Sequence, residues 1–93
     1  MRAIWNGETI ADSDETIVIE GNHCFPAESV KDEYLRRTRM VSLCPWKGIA
    51  RYYTVDVGDR RLDHAAWYYP PPWPWITKIR GRVAFWGGVQ VLP

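Results

Sequence analysis

The chain has 93 residues, of which 46% are apolar and 25% charged, with a formal net charge of +1 at pH 7. That length accommodates one core, burying roughly 60–70% of the surface an unfolded chain exposes, so a single domain over residues 1–93 is expected. Interspersed charges of nearly balanced sign supply no global field for attracting DNA, RNA or an anionic membrane, and no stretch approaches the ~18 apolar residues of a membrane span, so neither nucleic acid nor membrane is expected as a partner.

Six Trp and five Tyr make the buried surface unusually aromatic. A large ring removes ~150–250 Å² from water while its N–H or O–H still needs a partner, which favours positions where a core meets water or a ligand. The N-terminal Met1-Arg2-Ala3-Ile4-Trp5 lacks an apolar leader, and Cys24 and Cys44 are only two, so a cytoplasmic protein with thiols is expected.

Along the chain, Asn6-Gly7 between Ala3-Ile4-Trp5 and Glu8-Thr9-Ile10 predicts a two-residue type I′ hairpin turn flanked by strands. Residues 16–20 are β-branched and predict a strand ending at Gly21-Asn22, followed by an extended piece through His23, Cys24 and Phe25 up to Pro26. Ser29 as N-cap, with Asp32 and Glu33 in a first turn, predicts a helix of about two turns reaching Arg37. Residues 49–57 alternate, with Ala50, Tyr52, Thr54 and Asp56 on one face and Ile49, Arg51, Tyr53, Val55 and Val57 on the other. Gly58-Asp59 predicts the next turn, with 62–69 returning antiparallel as far as Pro70-Pro71-Pro72. A short helix is predicted over 73–79, ended by Gly81, then a strand over 83–86 and an extended 89–91. Six or seven short strands at this spacing predict a mostly β protein: a small antiparallel β sandwich or partly open barrel with one or two short helices.

Three segments stand out: Cys44-Pro45-Trp46-Lys47-Gly48-Ile49-Ala50-Arg51-Tyr52, then Ala66-Trp67-Tyr68-Tyr69-Pro70, then Val83-Ala84-Phe85-Trp86. With the N-terminal Trp5-Asn6-Gly7 and the Phe25-Pro26 pair, this order resembles the bacterial domain-of-unknown-function family 427 along nearly the whole chain. One departure is Cys24, which stands immediately before Phe25-Pro26 where relatives often carry a Tyr. The resemblance implies a compact β fold with a pocket and no established reaction, although a nucleotidyltransferase label is sometimes attached to the family.

The residues themselves suggest where chemistry would sit. Lys47, beside Trp46 and ahead of Tyr52, can meet a carboxylate or phosphate, and Gly48 removes side-chain bulk where a ligand could approach. Across the return strand, Trp67 and Tyr68 offer aromatic surface, with Tyr68 expected opposite Tyr52 or Tyr53. The expected ligand-binding set is therefore Trp46, Lys47, Tyr52, Trp67 and Tyr68. Asp63 and His64 fall on opposite faces by alternation, and His64 reads as an exposed edge histidine. Arg36, Arg37, Arg39, Arg60 and Arg61 read as solvated faces.

No catalytic residue is assigned, and neither a metal nor a cofactor is expected. The two-residue spacings of zinc sites are missing around Cys24 and Cys44, and no P-loop or dinucleotide fingerprint occurs. Asp12-Ser13-Asp14 could hold magnesium in nucleotidyl or phosphoryl transfer, but turn chemistry explains it better. The first functional reading is a binding domain for a small molecule, anionic by the lysine's charge. The alternative is a homodimeric interaction module whose surplus aromatics form an interface, and nucleotidyl transfer is the weaker third.

Overall fold

Short β-branched and aromatic runs separated by glycine-bearing turns pair locally because a two-residue turn of the right hand brings its flanking strands together at little entropic cost. The computed structural model, which describes residues 1–45, 48–70 and 81–93, is mostly β and arranges these runs in two antiparallel sheets packed as a sandwich. The smaller sheet has the order β2-β1-β9, from β1 (Arg2–Trp5), β2 (Glu8–Asp12) and β9 (Gln90–Leu92). The larger has the order β3-β4-β8-β7-β6-β5, from β3 (Ile17–Ile19), β4 (Asn22–Pro26), β5 (Leu35–Cys44), β6 (Gly48–Val57), β7 (Arg60–Tyr68) and β8 (Arg82–Phe85). With β2 and β9 at the edges of the smaller sheet and β3 and β5 at those of the larger, the barrel is not closed.

The turns follow their residues. Asn6 and Gly7 both take positive φ, 49° and 79°, as a type I′ turn requires, and Trp5 pairs with Glu8 across it. Asn6 also donates its side-chain amide to the Val57 carbonyl at 3.1 Å, tying this hairpin to the β6–β7 hairpin, whose turn is Gly58-Asp59. The turn after β3 is Glu20-Gly21, one residue earlier than predicted, with φ of 53° and 81°.

The helix predicted from Ser29 is replaced by two single turns of 3₁₀ helix, Ala27–Ser29 and Asp32–Tyr34, and then by the ten-residue strand β5. Ser29 caps nothing; its hydroxyl donates to the Pro26 carbonyl at 2.7 Å. An isolated two-turn helix is marginal, whereas the strand from Leu35 gains a ladder with β6 from Leu35↔Val55 to Cys44↔Gly48. Long-range pairing therefore overrides the capping signal. The second predicted helix, over 73–79, and the Pro71-Pro72 run lie outside the described residues.

The core lies between the sheets. Phe25, Ile10 and Val55 are its largest fully buried side chains, and Ala3, Ala11, Ala65 and Ala66 let the two backbones approach. Phe25 meets Phe85 edge to face, with centroids 5.6 Å apart, a favoured aromatic geometry. The Lys31 amide donates to the Ile10 carbonyl at 2.8 Å, and Ala11 bridges Val30, so the connection after β4 is stitched to the smaller sheet.

Truncating the ring at the centre of this interface tests it. Phe25→Ala is expected to lower the unfolding free energy by about 3–5 kcal/mol, read as a drop in the urea midpoint at unchanged m-value. A loss under about 1 kcal/mol would mean that the sheets do not pack through this residue.

Candidate functional site

Because side chains alternate along a strand, β5, β6 and β7 present two separate surfaces. The inner one faces the smaller sheet and carries Tyr53, Val55 and Val57 of β6 in the main core. The outer one carries Ala50, Tyr52, Trp67 and Tyr69, with Ile17 and Ile19 packed beside them. This division decides where each expected site residue lies. Tyr52 and Trp67 are direct cross-strand partners on the outer surface, with centroids 6.5 Å apart. Tyr68 is on the inner surface, stacked on Tyr53 at 5.1 Å and 20° between planes. Trp46 and Lys47 lie outside the described residues. Tyr52 and Trp67 therefore come together, while Tyr68 is separated from both by the thickness of the sheet.

On the outer surface, a groove with about 320 Å³ of open space is lined by Ile19, Asn22, Cys24, Trp67, Tyr69, Arg82 and Ala84. Its cation is already engaged by carbonyls, since Arg82 donates to Glu15 at 2.8 Å and to Cys24 at 3.3 Å. The Tyr52 hydroxyl shares a 3.0 Å hydrogen bond with Ser42, and the Tyr52 ring meets His64 edge-on at 6.3 Å.

His64 is not an edge histidine. β7 is flanked by β6 and β8, and the register jumps from Tyr53↔Ala66 to Val55↔Leu62, so Asp63, His64 and Ala65 bulge opposite Thr54. His64 takes the left-handed conformation, φ 55°, and its carbonyl accepts the Trp86 indole N–H. Asp63 accepts from the Thr54 hydroxyl at 3.3 Å instead of orienting an imidazole.

The inner surface holds a different constellation at the rim of the core. Arg37 pairs across the strands with Tyr53, and Arg51 with Tyr68, so two guanidinium groups and two stacked phenols occupy one face. They line a cleft with about 360 Å³ of open space, together with Thr38 and Tyr52. An adjoining hollow of about 470 Å³ is lined by Asp32, Leu35, Arg37 and Tyr53. A register shift between Arg37 and Val41 shapes the wall, where the Thr38 hydroxyl donates to the Tyr52 carbonyl at 3.0 Å and accepts the Met40 amide at 3.2 Å.

Several other arginines are engaged. Arg36 and Arg61 share Asp56 at 3.3 and 3.5 Å, and Arg60 lies 5.7 Å over the Trp5 ring. Arg37 and Arg51, by contrast, have no carboxylate partner among the described residues. Burial, followed by the Tyr68 phenol through charge and hydrogen bonding, pushes the Tyr53 hydroxyl up to about 12, against an opposing pull from Arg37. At neutral pH the cleft therefore combines cations with an uncharged phenol donor, a set suited to oxyanions. The sequence reading missed Arg37 and Arg51 as site residues. The available signal was the i, i+2 spacing of Arg51 and Tyr53 on one strand face.

The Asp12-Ser13-Asp14 run behaves as a turn. Both carboxylates are exposed, the Ser13 hydroxyl accepts the Glu15 amide at 2.9 Å, and the Ser13 carbonyl accepts the N-terminal ammonium at 2.9 Å. No group of three or more His, Cys, Asp or Glu side chains is placed to hold a metal ion among the described residues.

Among known families, the one described as "Domain of unknown function (DUF427)" has a model that matches residues 1–91. No curated protein matches the chain.

The cleft has a titration signature. With its folded-state value above the ordinary 10.0, neutral Tyr53 contributes stability that is complete below pH 10 and is lost as pH rises toward about 12. Absorbance titration at about 295 nm should show a tyrosine ionising near pH 12, and Tyr53→Phe should delete that step. Persistence of the step in the variant would assign it to another ring.

Proposed function

The chain belongs to the DUF427 family, and from that premise we propose that it binds a small anionic molecule in the cleft formed by Arg37, Arg51, Tyr53 and Tyr68. The observation that carries this reading is the pair of guanidinium groups, without a described carboxylate partner, set beside two stacked phenols on one sheet face. Surface arginines ordinarily gain little from being held near one another, because like charges repel and each is well solvated in isolation. A ligand oxyanion relieves that repulsion and accepts from the guanidinium forks, while a protonated phenol supplies a further donor without adding charge. Of the expected pair Trp46 and Lys47, Lys47 is kept in this reading only as a further cation close in sequence to Arg51.

A second reading, a homodimeric interaction module, draws support from Met40, Val41 and Leu43, which expose apolar side chains along the edge strand β5. Concentration-dependent sedimentation without any anion response would favour it.

The anion reading is tested by titrating inorganic phosphate and acetate into the isotopically labelled protein and following backbone amide shifts. Saturable shifts centred on Arg37, Arg51 and Tyr53 are expected, weakening as ionic strength rises. Arg51→Ala should reduce the affinity roughly tenfold or more, as expected for the loss of a charge-assisted hydrogen bond, without altering the thermal midpoint of the free protein. Identical titrations for the wild type and the variant would overturn the assignment.

A further inference from the structure

The rungs that form the cleft continue outward along the β5–β6 hairpin. Beyond Arg37↔Tyr53, the next pairs on the same face are Val41↔Arg51 and Leu43↔Ile49. The register shift between Arg37 and Val41 leaves the parity of facing residues intact, so Val41 and Leu43 share the surface of the two arginines. Direct cross-strand neighbours have Cβ atoms about 4.5–5.5 Å apart, which sets the Val41 side chain directly beside that of Arg51. Both apolar side chains stand in water, Val41 being 51% and Leu43 74% exposed, the latter the most exposed large hydrophobic among the described residues. The opposite face of the same hairpin instead carries Ser42 and Tyr52, hydrogen-bonded to each other and half-buried.

Two features therefore adjoin on one surface: a cationic, phenol-lined cleft, and an uncovered apolar strip leading away from it. From the Tyr53 rung to the Ile49 rung is four residues of β6, about 13 Å at ~3.3 Å per residue. A purely hydrophilic anion would use the cleft and leave the strip in water. An apolar segment of a partner would use the strip and leave both guanidinium groups without a counter-charge.

We infer that the ligand is an amphiphilic anion, a carboxylate or phosphate head with an unbranched hydrocarbon tail, bound from free solution with its head at Arg37 and Arg51 and its tail along Val41 and Leu43. The inference rests on the anion-binding reading and adds the tail. The charge of the cleft selects the head, and the contiguity of the strip with Arg51 fixes the direction of the tail. The occupant is a single dissolved molecule because its head enters a cleft lined by Arg37, Arg51, Tyr53 and Tyr68 of one chain.

The experiment is calorimetric titration of the intact chain with acetate, hexanoate and decanoate, each below its micellar concentration. Affinity is expected to rise along the series, by up to about fourfold for each methylene that leaves water. Leu43→Ser and Val41→Ser should flatten the rise while leaving acetate binding unchanged, and Arg51→Ala should weaken all three. Equal affinity across the series would overturn the tail and leave the anion reading standing. A rise with chain length that survives unchanged in Arg51→Ala would overturn both, since the head would not be at the cleft. Two other results would also overturn the inference: burial of Leu43 in a dimer seen by sedimentation without ligand, or capture by anionic vesicles with no binding of monomeric decanoate.

Discussion

The two-residue period of the β-strand governs this protein more than any single contact. In a central strand with both faces in use, consecutive residues are committed to opposite sides of the sheet. β6 puts Tyr53, Val55 and Val57 against the smaller sheet and Ala50 and Tyr52 on the outside. β7 follows the same rule, with Ala66 and Tyr68 inward and Trp67 outward. The register between these strands therefore determines which aromatic residues form the core rim and which form an outer layer. A slip of one residue would exchange the two sets, turning Val55 and Val57 out of the core and Ala50 and Tyr52 into it. The many alanines at the sheet interface act with this constraint, since close approach of the sheets is possible only in the register that presents small side chains to one another.

The functional reading grows from the same rule. Arg37 with Tyr53, and Arg51 with Tyr68, are brought together as cross-strand pairs rather than by any loop. A site on paired strands is held by the backbone ladder, so its cations need no carboxylate to fix their positions. At the core rim the phenols are partly desolvated, which keeps Tyr53 protonated far into the alkaline range and makes it a neutral donor beside two fixed positive charges. The irregularities fall beside these strands: the shift in β5 between Arg37 and Val41 forms a wall of the cleft, and the bulge in β7 turns His64 into the left-handed region.

Much of the fold was legible because its signals are local. Asn6 and Gly7 specify their turn through positive φ at both positions and Gly58 does so for the turn it shares with Asp59, and the alternation over 49–57 correctly divides the two faces of β6. The error at Ser29 has a distinct cause. A capping residue followed by Asp32 and Glu33 is a real helix signal, but it competes with pairing to the next strand, where Leu35 meets Val55 beyond the span of any helical turn, and the β5 ladder contributes more than two turns of helix. The expected site spans both faces at once, joining Tyr52 and Trp67 with Tyr68, because neighbours along a strand are close in the chain yet lie on opposite sides of the sheet. Arg37 falls in the segment whose local signal is helical, so its pairing with Tyr53 has no signature in the sequence.

By itself, the sequence determined the β class, the hairpin turns, the two-faced character of β6 and the resemblance across nearly the whole chain, since these depend on residue type, short-range spacing and motif order. Only the tertiary structure decided which strands are neighbours, that Leu35 begins a strand, and that Arg37, Arg51, Tyr53 and Tyr68 meet on one surface. Those outcomes depend on register between segments far apart in the chain. Register is set by the collective fit of a buried face, a quantity to which each residue contributes but which no local pattern contains.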